Sequence, residues 1–133
     1  MVLSGEAIRR GIREGVIGIT PFSEEQVEAV HVNLHLGEHE AAKDGLVRIA
    51  AKGFIIARTE ERITLPSGIC GLIEGRSKLA RQGISVEQSS KLIEPGSDST
   101  MVLEIFNASD GEVSLSVGQK IAKMILLKIT DEI

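Results

Sequence analysis

From Val30 onward, apolar and polar residues alternate in short runs, and glycine, proline, serine or aspartate interrupts them about every ten residues. A period of two sends successive side chains to opposite faces of an extended strand, whereas a helix needs apolar residues three and four apart. Val30-His31-Val32-Asn33-Leu34-His35-Leu36-Gly37 shows the pattern most plainly. Residues 46–50, 54–59, 62–65, 69–74, 84–86, 92–93, 100–106, 113–115 and 120–129 read as further strands. Pro66-Ser67-Gly68 and Glu94-Pro95-Gly96 are turns between them. Residues 4–14 break the rhythm. Ser4 suits a helix N-cap, Ala7, Ile8 and Ile12 fall near one face, and Gly15 suits the stop. One helical turn is expected over 79–82. The pattern predicts a mainly β domain, a sandwich or barrel, with a short N-terminal helix.

The 133 residues suit a single domain spanning 1–133, and the 42% apolar content is enough for a core. No apolar run approaches the length of a bilayer span, and Met1-Val2-Leu3-Ser4-Gly5-Glu6 lacks the regions of a secretory signal. Cys70 is the one cysteine, so no internal disulfide forms, which fits a reducing cytoplasm. The net charge of −4 and only three aromatics, Phe22, Phe54 and Phe106, argue against a nucleic-acid binder. Neither a membrane nor a nucleic-acid partner is expected.

Three groups of residues carry candidate chemistry. Glu104 stands in the strand 100–106, where Met101, Leu103 and Ile105 take one face and Val102, Glu104 and Phe106 the other. Both faces are otherwise apolar, so the strand is expected to be covered on both sides. A glutamate there loses hydration, its pKa rises, and it exchanges protons more readily near neutrality. A partly solvated glutamate, or one paired with a core arginine, fits the same pattern. Arg76, Ser77, Lys78 and Arg81 gather cations and a hydroxyl behind Gly75, a combination suited to phosphate oxygens at the start of a helical turn. A solvated basic loop is the alternative. His31, His35 and His39 recur every fourth residue, but the segment alternates as a strand, so polar strand-face residues explain them better than metal ligands. Cys70 reads as a buried structural thiol. With one cysteine, the H-x-E with P-C-x-x-C arrangement of zinc deaminases cannot be built.

Gly75-Arg76-Ser77-Lys78-Leu79-Ala80-Arg81 resembles the G-R-S-S-L-A-R motif of the dCTP deaminase and dUTPase family. Ile93-Glu94-Pro95-Gly96 resembles its I-D-P-G turn, and Val102-Leu103-Glu104-Ile105-Phe106-Asn107 the deaminase segment V-L-E-F-Y-N. Val117-Gly118-Gln119-Lys120-Ile121-Ala122 is similar to P-G-x-x-I-A, Val32-Asn33-Leu34-His35-Leu36-Gly37 to I-D-L-R-L-G, and residues 4–15 to the deaminases' opening helix. The resemblance covers almost the whole chain. It implies a β-clip, a distorted jelly-roll barrel, and a homotrimer with sites between subunits. Glutamate at position 104 resembles the deaminases, since dUTPases usually carry no acid there.

The implied reaction is deamination of dCTP to dUTP and ammonia. Glu104 would take a proton from water, hydroxide would attack C4 of cytosine, and the same carboxyl would pass protons to N3 and the leaving ammonia. Ser77 and Arg81 would hold water and position Glu104. Arg76, Ser77 and Lys78 would face the triphosphate, and Mg²⁺ would accompany the phosphates, with no zinc. Ser89 and Ser90 fall where the family contacts base and water, and Glu94 where an aspartate contacts the sugar.

The chain departs from the family pattern at several places. Lys78 replaces a serine, Val86-Glu87-Gln88-Ser89-Ser90 stands for V-H-Q-T-A, and Ser97 and Ser99 replace an aromatic and a glycine. Asn33 replaces an aspartate and Lys123 a glutamine. The resemblance also expects a segment beyond the last strand that folds over the nucleotide, where this sequence ends at Thr130-Asp131-Glu132-Ile133. These departures leave two other readings beside deamination: a dUTPase-like pyrophosphatase, and a non-catalytic trimer that binds a nucleotide or a protein.

Overall fold

The structure, a computed structural model, describes residues 1–133. Helix α1 (Gly5–Arg13) starts where the sequence places it. Ser4 stays extended, and its hydroxyl oxygen accepts from the Ala7 N–H at 3.1 Å, satisfying one donor that a helix start leaves free. Gly15 turns the chain away at φ +75°, and Ile8 is fully buried under the sheets.

Ten strands follow: β1 (Gly18–Thr20), β2 (Val32–His35), β3 (Leu46–Ile49), β4 (Phe54–Thr64), β5 (Ile69–Gly75), β6 (Ile84–Ser85), β7 (Lys91–Ile93), β8 (Asp98–Asn107), β9 (Val113–Ser116) and β10 (Lys120–Lys128). A single-turn helix, α2 (Ser77–Ala80), joins β5 to β6, and a 3₁₀ turn at Glu24–Gln26 precedes β2. The strands form two four-stranded sheets, ordered β1-β4-β8-β6 and β2-β10-β5-β7, and a two-stranded β3-β9 pair. Every pairing is antiparallel, and the sheets stay open rather than closing into a barrel. One core of 25 buried apolar residues joins both large sheets, with Leu103 and Ile105 from one and Met124 and Leu126 from the other.

Two departures from the sequence reading have local causes. Strand β1 escapes notice because only Gly18, Ile19 and Thr20 precede Pro21, too short a run to show alternation. Residues 54–59 and 62–65, read as two strands, belong to one, β4, interrupted by a bulge. Its register with β8 slips between Arg58 and Arg62. The Thr59 hydroxyl fills the gap, donating to the Glu61 carbonyl at 2.8 Å and accepting from the Met101 N–H at 2.9 Å. The bulge also turns the Glu61 carboxylate inward, where it is 1% exposed.

On β8, Met101, Leu103 and Ile105 are buried as expected. Val102, Glu104 and Phe106 are only half-buried, so the second face is not covered to the depth that the apolar pattern predicts. Across it on β4 stand Ile56, opposite Glu104, and Phe54, opposite Phe106, each more than half exposed. The outer face of β4 and β8 therefore presents apolar side chains around one carboxylate.

Candidate active site

The 75–81 segment leaves β5 with Arg76 still extended, then makes the single turn of α2. The Ala80 N–H donates to the Arg76 carbonyl at 2.9 Å and the Arg81 N–H to the Ser77 carbonyl at 3.0 Å. This turn throws Arg76, Ser77, Lys78 and Arg81 into a pocket of about 430 Å³. Lys120 and Lys123 of β10 supply another wall, and Glu28, His31 and Asn33 complete it, with no apolar lining. The sequence reading passed over Lys120, weighed His31 only against metal binding, and named Lys123 only as a departure from the family motif. The signal for Lys123 lies in the strand register, which sets it between Asn33 and Glu74.

None of the five lysines and arginines has a carboxylate within ion-pair distance. Arg76 Nη1 reaches only the Lys120 carbonyl, at 3.4 Å. Five unpaired cations converging in a chain of net charge −4 make a strong local field for an anion. The helix start contributes little to it, because α2 has one turn; the side chains carry the charge.

Glu104 lies on the other side of the 75–81 segment. Its N–H donates to the Val86 carbonyl at 3.0 Å, so residues 86–90 run beside β8, and its Oε1 accepts from the Gln88 N–H at 3.4 Å. Beyond the 86–90 segment a cleft of about 500 Å³ opens, lined among others by Glu74, Gly75, Ala80, Gly83, Glu87 and Ser90 but not by Glu104. Gly83 closes the turn after α2 at φ +87°, and a Cβ there would lie 3.1 Å from the Ser109 nitrogen. Ser90 also takes a positive φ of 69°, while Ser89 is exposed and donates to the Ser90 carbonyl at 3.4 Å.

The sequence reading passed over Glu87. One of its oxygens, Oε1, is buried without a hydrogen-bond partner. Burial pushes the Glu87 carboxyl up to about 7; a hydrogen bond with Glu104 and the charge of that neighbour act in the same direction, and Lys91 opposes them. From sequence alone Glu87 was one more acid in a polar run, and the sole signal was its place in the V-H-Q-T-A segment.

The predicted site residues thus separate into two groups. Ser90 lines the acidic cleft, while Arg76, Ser77, Lys78 and Arg81 line the cationic pocket; Glu104 and Ser89 line neither. No hydrogen bond or ion pair links Glu104 to Ser77 or Arg81 within one chain. Glu94 is exposed in its turn, where its carbonyl accepts from Ser97, and it lines neither cavity.

The histidines do not act as a set. His35 Nδ1 lies 2.6 Å from the Glu61 carboxylate, which also accepts from the His35 N–H and from Gln26 Nε2, both at 2.9 Å. His39 instead contacts the Ile56 carbonyl at 2.9 Å. Glu60 adds a third potential ligand beside His35 and Glu61, but both Glu61 oxygens are already engaged by protein partners. Cys70 is half-buried in β5.

A family profile described as dCTP deaminase-like matches residues 37–129, a stretch that contains both cation-bearing α2 and Glu104. The chain belongs to this dCTP deaminase-like family. A dUMP-forming dCTP deaminase of Sulfurihydrogenibium is 27% identical over 98% of this chain and 86% of its own length. A dCTP deaminase of Pyrococcus abyssi is 32% identical over 89% of this chain and 80% of its own. Among solved structures, the Agrobacterium tumefaciens 2′-deoxycytidine 5′-triphosphate deaminase superposes with a TM-score of 0.75 at 15% identity, over 94% of this chain and 48% of that longer one. A Staphylococcus bacteriophage 80alpha dUTPase gives 0.66 at 15% identity, over 88% of this chain and 85% of its own. At such identities the structural likeness speaks for the fold: a mainly β, jelly-roll-like domain of the kind that dCTP deaminases and dUTPases share. No helix is long and apolar enough to cross a membrane.

Proposed function

We propose that this protein deaminates a cytosine deoxynucleoside triphosphate, with Glu104 carrying the protons. The observation that bears most weight is the half-buried Glu104 carboxylate on β8, at the position where the deaminase segment V-L-E-F-Y-N has its glutamate. The five unpaired cations of the neighbouring pocket suit a triphosphate. Arg76 offers the planar fork of a guanidinium, and Lys78 and Lys123 act as point charges. Mg²⁺ arrives with the nucleotide and belongs to the substrate.

In the reaction Glu104 accepts one proton from water as the oxygen bonds to C4. That proton moves to N3. The hydroxyl proton of the tetrahedral intermediate then passes to the amino group, ammonia leaves, and uracil remains. Ser77 and Arg81 hold the water and orient Glu104. Since they do not meet Glu104 within one chain, the complete site forms between copies. The exposed Phe54 and Ile56 beside Glu104 support a face that a second copy covers; a homotrimer working in the cytoplasm is the assembly that the family resemblance implies. Ser90 and the backbone of 86–90 border the base. Glu94 keeps a sugar contact only if the assembly brings it to the site.

A second reading concerns the product. Relatives with 27% and 28% identity are named dUMP-forming, which adds release of pyrophosphate to deamination. The test is incubation with dCTP and Mg²⁺, with ammonia assayed and nucleotides separated by chromatography. Ammonia with dUTP supports deamination alone, and ammonia with dUMP the two-step reading. Glu104→Gln should abolish ammonia release. No ammonia from any cytosine nucleotide rejects the proposal.

A further inference from the structure

We propose that Glu87 and Glu104 form an acid pair sharing one proton, and that this pair, rather than Glu104 alone, carries protons in the reaction. The inference deepens the deaminase reading and, for its catalytic use, rests on it. Its basis is geometric. The segment 86–90 is bound along β8 by the Glu104 N–H and by the Gln88 N–H, which places Glu87 beside Glu104. Glu87 lines the 500 Å³ cleft, and its Oε1 is buried without a hydrogen-bond partner. A carboxylate in that place would leave a buried charge unpaired. A carboxylic acid hydrogen-bonded to the Glu104 carboxylate leaves one charge on the pair instead of two.

The other charged groups facing Glu87 do not remove the need for a proton. Lys91 on β7 favours ionisation, but burial and the Glu104 carboxylate outweigh it. Glu74, at the end of β5, lines the same cleft and adds a further negative charge. In the family segment V-H-Q-T-A this position is a histidine, so the pair is a feature of this chain.

A pair holding one proton can receive and release protons at the same time. As water is deprotonated the pair takes up one proton and delivers one to N3, returning to the singly protonated state. When the intermediate collapses it takes the hydroxyl proton and gives one to the departing amine. The pair ends as it began, and no net proton is consumed. Glu87 acts through Glu104 in this scheme, so it is a positioning residue that sets where the proton sits.

Two measurements on the full-length protein test the pair. The first is ¹³C NMR of glutamate labelled at the side-chain carboxyl, followed through pH. The Glu87 carboxyl should titrate near pH 7. Glu87→Gln should remove that step, and Glu104→Gln should move it down without removing it, because burial remains. A step that Glu104→Gln leaves unmoved overturns the pair. If every glutamate titrates in a single step near the ordinary value of about 4.3, the pair is overturned whether or not dCTP is turned over. The second is the pH profile of kcat for ammonia release. The wild-type rate should fall as pH rises and the shared proton is lost. Glu87→Gln should lower kcat about tenfold or more at neutral pH and flatten the alkaline limb, because an amide has no proton to lose there. Glu87→His should restore a titrating limb. An alkaline limb unchanged in Glu87→Gln overturns the proton-carrying role. Absence of turnover in the wild type, with the Glu87 step near pH 7 present and moved by Glu104→Gln, overturns the deaminase reading and leaves the pair standing.

Discussion

Replacing Glu87 by glutamine should change how stability depends on pH, because the wild-type carboxyl resists ionisation in the folded chain. Glu87 is raised from 4.5 to about 7, chiefly by burial, with Glu104 adding to the effect. Between those two values the folded chain holds a proton that the unfolded chain has released. Stability therefore falls as pH rises through that window and levels off above it. At about 1.36 kcal/mol per pH unit the full displacement corresponds to roughly 3 kcal/mol. Glu87 retains solvent contact, and screening reduces this to about 1 kcal/mol. Glutamine keeps the shape but removes the ionisation, so the variant should gain about 1 kcal/mol relative to wild type between pH 4 and pH 8. Urea unfolding at several pH values, at one fixed protomer concentration, reads the difference directly. A wild-type–variant difference that stays constant across this range would show that Glu87 ionises freely in the folded state.

Other perturbations test other parts of the structure. Asn107 is fully buried, donates to the carbonyls of Ile49, Ala50 and Gly111, and accepts from Ser109, so Asn107→Ala should cost about 1–3 kcal/mol in urea unfolding. Gly83→Ala meets both a positive φ and the Ser109 nitrogen, and should lower stability by about 1–2 kcal/mol. Arg76→Ala and Lys123→Gln should each weaken binding of Mg²⁺–dCTP several-fold in calorimetry at low salt. The difference from wild type should shrink as salt rises, since the pocket is open to solvent.

The fold was legible where local pattern and tertiary burial agree. Ser4 caps α1 because its hydroxyl serves a free N–H, a rule that needs no knowledge of the rest of the chain. The alternation of Met101, Leu103 and Ile105 likewise reports which face of β8 is buried. The bulge in β4 was hidden because Thr59 and Glu61 are polar yet buried, and only the hydrogen bonds to Met101 and His35 show why. At the site, α2 and Glu104 were readable as motifs. Lys120 and Lys123 were not, because sheet register rather than sequence proximity brings them to the pocket. Glu87 was hidden for a related reason: its altered ionisation arises chiefly from burial, with Glu104 adding to it, and both come from tertiary neighbours that chain order does not place next to it.

The division of Glu104 from the cationic pocket within one chain leads to a direct experiment. Glu104→Gln and Arg81→Ala should each be inactive as pure assemblies. Mixed under conditions of confirmed subunit exchange, they should regain about a quarter of wild-type ammonia release, because some interfaces then join an intact Glu104 to an intact Arg81 from another copy. No recovery after exchange, or full activity in a monomer, would contradict a site completed between subunits.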